Sequence, residues 1–153
     1  MNELIEYRSK LIEKLAESAN RFCIACEAIP SDSQIEGDWT LHQIAAHVRD
    51  VDRSVYGARV RQTLLEDNPF FKNFDADDWM AKNYHKDGPL KNILNEFKTN
   101  VDDLCKTLAN LPQAAWSRVS RHETMGGALT LQLWVERSLA HIEEHLQAVS
   151  KIK

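Results

Sequence analysis

The chain has few helix breakers and few cysteines, and no long apolar run. Five glycines and four prolines in 153 residues are too few for the many tight turns of a β-sandwich or barrel. Three cysteines, Cys23, Cys26 and Cys105, are an odd number, which argues against a disulfide framework and fits a reducing compartment. No apolar stretch reaches the roughly 18 residues of a membrane span, and the opening MNELIEYRSKLIEKLAESAN lacks the continuous apolar core of a secretory leader. A soluble, cytoplasmic protein with no membrane partner is therefore expected. Lysine and arginine are scattered, and the formal net charge is -4, so no basic stripe is available to capture nucleic acid or an anionic membrane.

Several catalytic signatures are missing as well. There is no P-loop, no dinucleotide fingerprint and no serine nucleophile elbow. The paired Glu-x-x-His motifs of ferritin-like di-iron bundles are absent from the helical segments. His141-Ile-Glu-Glu-His145 is not the zinc-peptidase signature, which needs glutamate directly after the first histidine; here that residue is Ile142. Cys23-Ile-Ala-Cys26 stands alone inside a helical pattern, without the second pair of a structural zinc site, and reads as small buried apolar side chains.

What the chain does have is helical periodicity. At 43% hydrophobic residues it can bury one real core, and a single domain spanning residues 1–153 is expected. Leu4, Leu11, Leu15, Phe22, Cys26 and Ile29 share one face, which predicts a first helix over about 3–28, ended by Pro30. Trp39-Thr40-Leu41-His42-Gln43-Ile44 reads as a helix start: Thr40 is the N-cap, Gln43 completes a capping box and Trp39 staples onto Ile44. That second helix runs to about Leu65. Glu66 to Gly88 is an aromatic-rich connection in which Asp77 to Asn83 forms a short helix. Leu90, Leu94, Phe97, Val101, Leu104, Leu108 and Leu111 alternate spacings of four and three, predicting a third long helix closed by Pro112. A second irregular stretch, QAAWSRVSRHETMGGAL, leads to a last helix from about Thr130 to Lys151. The expected architecture is all-α, a four-helix bundle with long connections between helices 2 and 3 and helices 3 and 4.

Histidines carry the chemistry. His141 and His145 are one turn apart on one helix face, a spacing from which two imidazoles reach a single ion. On the second helix His47 falls about 60° from the centre of the apolar stripe Ile44, Val48, Val51, Val55 and Ala58, so it points inward or to a boundary, while His42 falls nearly opposite and is expected in solvent. On the last helix His141, His145 and Trp134 flank the stripe, with Glu136, Arg137, Glu143 and Glu144 on the far side. Three half-buried imidazoles need partners: a metal ion, or a hydrogen-bond network inside the core. Asp50, three residues after His47, is placed to orient a ligand ring, or is a solvated carboxylate. Arg59 and Arg61 are solvated helix charges or meet an anionic substrate, and Tyr56, Trp79, Tyr84 and Trp134 are core aromatics or line a pocket. No catalytic acid or base stands out; His42, His85 and His122 are candidates by residue type alone.

A tryptophan followed by threonine at a helix start, a histidine eight residues after the tryptophan (WTLHQIAAH), and a late HIEEH together resemble the DinB/YfiT-like family over nearly the whole chain. The resemblance implies a four-helix bundle in which His47, His141 and His145 bind a divalent ion, usually nickel or zinc, often within a homodimer. It also implies a small-molecule substrate and, in the characterised transferases and isomerases, a low-molecular-weight thiol such as bacillithiol or mycothiol as cosubstrate. Two functions remain open: a metal-dependent transferase or hydrolase, in which three neutral ligands leave positions for water or substrate, and a non-catalytic metal or small-ligand binding bundle or dimeric interaction protein.

Overall fold

The computed structural model describes residues 2–152. Its longest elements are the four rods that the periodicity predicts. Helix α1 runs Asn2–Glu27 and buries Leu11, Leu15, Ala19, Phe22 and Cys26 along one stripe. Strands β1 (Gln34–Glu36) and β2 (Trp39–Thr40) form a short antiparallel hairpin. Gly37 turns it with φ +56, a left-handed conformation that glycine adopts without strain.

The second rod is built in three pieces: helix α2 (Leu41–Val51), a π-helical turn (Asp52–Tyr56) and helix α3 (Gly57–Leu65). Its start is the expected capping box. Thr40 Oγ1 accepts the Gln43 amide at 3.3 Å, and Gln43 Oε1 accepts the Thr40 amide at 2.9 Å. Strand β3 (Phe70–Phe71) and helix α4 (Ala76–Asn83) follow, the latter capped by Asp75, whose Oδ1 accepts the Asp78 amide at 3.0 Å. Helix α5 is Leu90–Ala109. After it come a single-turn 3-10 segment (Gln113–Ser117), strands β4 (Val119–His122) and β5 (Gly126–Thr130), and helix α6 (Leu131–Ser150), with Thr130 as its N-cap.

Helix α1 packs against both α5 and α6, α2 lies on α5, and α3 lies on α6. Four rods thus surround one core in which Leu15, Phe22, Leu41, Ile44, Phe97, Leu104, Trp116, Leu131, Trp134 and Ile142 are fully buried. None of the described helices is long and apolar enough to cross a membrane.

The all-α expectation needs one correction. Besides the β1–β2 hairpin there is a three-stranded sheet in which β3 runs parallel to β4, and β4 pairs antiparallel with β5. In Val119–His122 exposed and buried positions alternate, the two-residue period of a half-buried strand, which in four residues is too short to stand out beside twenty-residue helices. This sheet joins the segment after α3 to the segment before α6 and closes one end of the bundle.

Candidate metal centre

Three rings meet where α2 and α6 face each other. His47 Nε2 lies 3.1 Å from His141 Nε2, and His145 Nε2 lies 3.2 Å from the same atom. Among the described residues, this trio is the one group of three or more potential ligands whose donor atoms converge, all within 4.8 Å of one another. The inward placement expected for His47 and the two α6 histidines is therefore what the structure shows: His47 and His145 are buried and His141 is half-buried.

Hydrogen bonding alone does not satisfy this arrangement. His141 Nε2 offers one proton or one lone pair, yet two other Nε2 atoms face it at hydrogen-bond distance. A cation between the three resolves the conflict, since each nitrogen then donates a lone pair. The spacing suits one: nitrogens about 2.1 Å from an ion stand about 3.4 Å apart at the tetrahedral angle and about 3.0 Å apart at a right angle. Burial, reinforced by the neighbouring His145, holds His47 down to about 4 and His141 down to about 3; the His47 ring adds to the effect on His141, and Asp50 pulls His47 slightly back up. Both rings are neutral at physiological pH.

One ring orientation is fixed from outside. His145 Nδ1 lies 3.1 Å from the Glu36 carboxylate, so Nδ1 carries the proton and the Nε2 lone pair points at the other two rings. Glu36 comes from β1 and has no local sequence signal linking it to a histidine 109 positions away. Trp39 flanks the site, its ring 5.0 Å from that of His47, and Tyr56 lies 5.8 Å from the His141 ring, both centre to centre.

Asp50 does not orient a ligand ring. It is buried and accepts from Trp79 Nε1 at 3.0 Å, from Arg49 Nε at 2.9 Å and from Arg53 Nη2 at 3.2 Å, tying α4 to α2. His42 also departs from expectation. It is buried, with Nε2 2.6 Å from the Gly88 carbonyl and Nδ1 2.6 Å from the Tyr84 hydroxyl. The carbonyl can only accept, so Nε2 donates and Nδ1 accepts the tyrosine proton. A helical wheel sees two layers, and the segment after α4, with Tyr84 and Gly88, adds a third over this face.

A cavity of about 350 Å³ opens beside the triad, with His47 and His141 in one wall and Tyr56, Arg59, Asn73, Phe74, His122, Thr124 and Arg137 among the others. Arg59 is buried, its guanidinium 4.7 Å above the Trp134 ring. The π-helical turn explains why. Arg59 follows His47 by twelve residues, which in an unbroken α-helix turns it about 120° away; one extra residue in the helix brings the two within about 20°. The buried face therefore passes from Val51 and Val55 to Arg59, Val60 and Thr63, leaving Ala58 half-buried, while Arg61 stays exposed. Arg137, expected on the far side of the last helix, is exposed and lines this cavity from α6. Trp134 is wholly buried and donates Nε1–H to Ser120 Oγ at 2.8 Å, so it is core; Trp79 and Tyr84 serve Asp50 and His42. His85 is exposed and does not line the cavity. Cys26 is fully buried and Cys23 half-buried, as small apolar side chains are; burial pushes the Cys23 thiol up to about 11 and Cys26 higher still.

Comparison with known proteins fits this geometry. A family model described as the DinB superfamily matches residues 3–149. Among solved structures, YfiT from Bacillus subtilis, described as a probable metal-dependent hydrolase with an unusual four-helix bundle topology, superposes with a TM-score of 0.79 at 23% sequence identity, covering 95% of this chain and 87% of that one. At that identity the likeness is one of fold. No curated protein matches the chain.

Proposed function

The chain belongs to the DinB superfamily, and from that premise we propose that His47, His141 and His145 hold a divalent metal ion at which a small molecule is hydrolysed or receives a thiol. The observation that carries this reading is the convergence of three Nε2 atoms that cannot all be satisfied by one another. Three imidazoles without thiolate or carboxylate are donors that suit zinc or nickel better than magnesium or calcium. Such an ion supplies Lewis-acid chemistry, polarising a substrate oxygen and lowering the pKa of a water or thiol that reaches it.

The chain's own residues do the rest. Glu36 fixes the tautomer of His145 and strengthens it as a donor. Trp39 and Tyr56 flank the rings, while the neighbouring cavity gives a small molecule access to His47 and His141. Three protein ligands leave coordination positions open, as catalytic sites do and closed structural sites do not. Hydrolysis is the form supported by the description of the YfiT structure. Transfer of a low-molecular-weight thiol, bacillithiol-like, is the form expected from the family resemblance, and it needs the same activation of a nucleophile.

The test is an assay of zinc- and nickel-loaded protein against ester, amide and phosphoester model substrates and against electrophiles, with and without a low-molecular-weight thiol. Turnover that chelation removes and His141→Ala abolishes supports the proposal. Silence of metal-loaded wild type across the panel favours the non-catalytic binding bundle.

A further inference from the structure

The cavity beside the triad has an electrostatic fault that a ligand would repair. His122 is buried, and its Nδ1 accepts two backbone amides, Thr124 N at 3.1 Å and Met125 N at 3.2 Å. A nitrogen that accepts cannot carry the proton, so the neutral ring bears it on Nε2. That Nε2–H faces Arg59 Nη2, another donor, at 3.5 Å. Arg59 Nη2 spends one hydrogen on the Lys72 carbonyl at 3.1 Å, and among the described residues the remaining Arg59 donors meet no acceptor.

Arg137 adds a second guanidinium to the same cavity, and among the described residues it makes no hydrogen bond or ion pair. The two guanidinium groups feel each other, since Arg137 helps to lower the Arg59 pKa below the arginine norm, after burial. No aspartate or glutamate lines the cavity. Two carboxylates lie outside its lining: Glu123 accepts the Asn73 amide at 2.9 Å, and Glu144 borders a smaller depression that shares Tyr56, Arg137 and His141 with this cavity.

These side chains present donors to the cavity that meet no protein acceptor, and two of the three are more than nine-tenths buried, so an acceptor that enters finds the donors already in place. We infer that this cavity binds the oxyanion of a small carboxylate- or phosphate-bearing molecule, held between Arg59, His122 Nε2–H and Arg137, with the rest of the molecule directed toward His47 and His141. Arg59 is well placed for the task because stacking on Trp134 and the bond to Lys72 fix its guanidinium plane before anything binds. The inference rests on the metal reading for naming this anion a substrate, while the binding itself needs no metal.

The experiment titrates sodium phosphate and sodium succinate into nitrogen-15-labelled full-length protein, metal-free and zinc-loaded, at fixed pH and at ionic strength held constant with chloride. The His122 imidazole nitrogens are the readout, and zinc content is measured on the same samples. A saturable His122 shift is expected in metal-free protein, from phosphate alone if a phosphoryl group is the ligand and from succinate if a carboxylate is. Arg59→Gln and Arg137→Gln should each weaken it about tenfold with zinc content unchanged. Arg137 is exposed, so its variant stays informative if Arg59→Gln fails to fold. No saturable response to either anion in folded wild type overturns the inference, as does equal affinity in both folded variants. Arginine-dependent anion binding in a protein that takes up no zinc supports the anion site and overturns the metal reading. Zinc uptake without any anion response does the reverse.

Discussion

Glu36 and His145 lie 109 residues apart in the chain, and their side chains meet at 3.1 Å. That contact makes β1 part of the histidine cluster: the carboxylate holds the proton on Nδ1 and leaves Nε2 free to donate. Carboxylate partners of ligating histidines usually contribute 10- to 100-fold in metal affinity. Glu36→Ala is therefore expected to weaken zinc binding by about that factor while the circular dichroism spectrum stays that of wild type. Competition with a chelator of known affinity measures it; an unchanged affinity would make Glu36 a bystander.

The second prediction concerns Asp52 in the π-helical turn. It is buried, its Oδ1 has no hydrogen-bond partner among the described residues, and burial pushes its pKa up to about 7, against the smaller opposing influences of Arg61 and Ser138. A raised folded pKa means stability present below the unfolded carboxylate range and lost as pH rises through about 7. Asp52→Asn should thus stabilise the protein at pH 8 by roughly 1–3 kcal/mol, with a smaller gain at pH 5. Denaturant melts of both proteins at the two pH values decide it; a variant less stable at pH 8 refutes the account.

Gly57 is the third target. Its amide closes the π turn onto the Asp52 carbonyl, and a Cβ there would stand 2.6 Å from that oxygen. Gly57→Ala gains helix propensity of about 1 kcal/mol in an ordinary site, but here the backbone must shift. We expect net destabilisation of about 1–3 kcal/mol, and displacement of Arg59 from its place beside the cavity. A thermal melt at or above that of wild type would show that the turn tolerates the methyl group.

The fourth prediction is the acid sensitivity of metal-free protein. His47 is held down to about 4 and His141 to about 3, chiefly by burial. Below the ordinary histidine pKa of about 6.5 the unfolded chain binds protons that the folded chain refuses, so stability falls as pH drops from about 6.5 toward 4. Each ring contributes a slope of up to about 1.4 kcal/mol per pH unit. His47→Gln and His141→Gln should each flatten this dependence in denaturant titrations, and slopes equal to wild type would mean that the rings are solvated.

The rods and the triad were legible because they obey one short-range rule. Periodicity placed α1, α5 and α6 within a few residues of their ends, and it put His47, His141 and His145 on inward faces. The Thr40–Gln43 cap is likewise written in four consecutive residues. What escaped depends on distant or irregular features. Glu36 reaches His145 through a hairpin that no local pattern ties to α6. His42 is covered by a segment folded back over the bundle. Arg59 turns inward because a π-helical turn shifts the phase of the second rod, which a wheel drawn at constant pitch cannot anticipate.

The most direct test of the metal centre is elemental analysis by mass spectrometry of tag-free purified protein, beside His47→Ala and His141→Ala variants whose folding is checked by circular dichroism. The account predicts about one equivalent of zinc or nickel in wild type, as expected of a single three-ligand site, and its loss in both folded variants. A wild type that holds no metal even after reconstitution, or variants that keep it, would contradict the account and reduce the three histidines to a hydrogen-bonded cluster in the core.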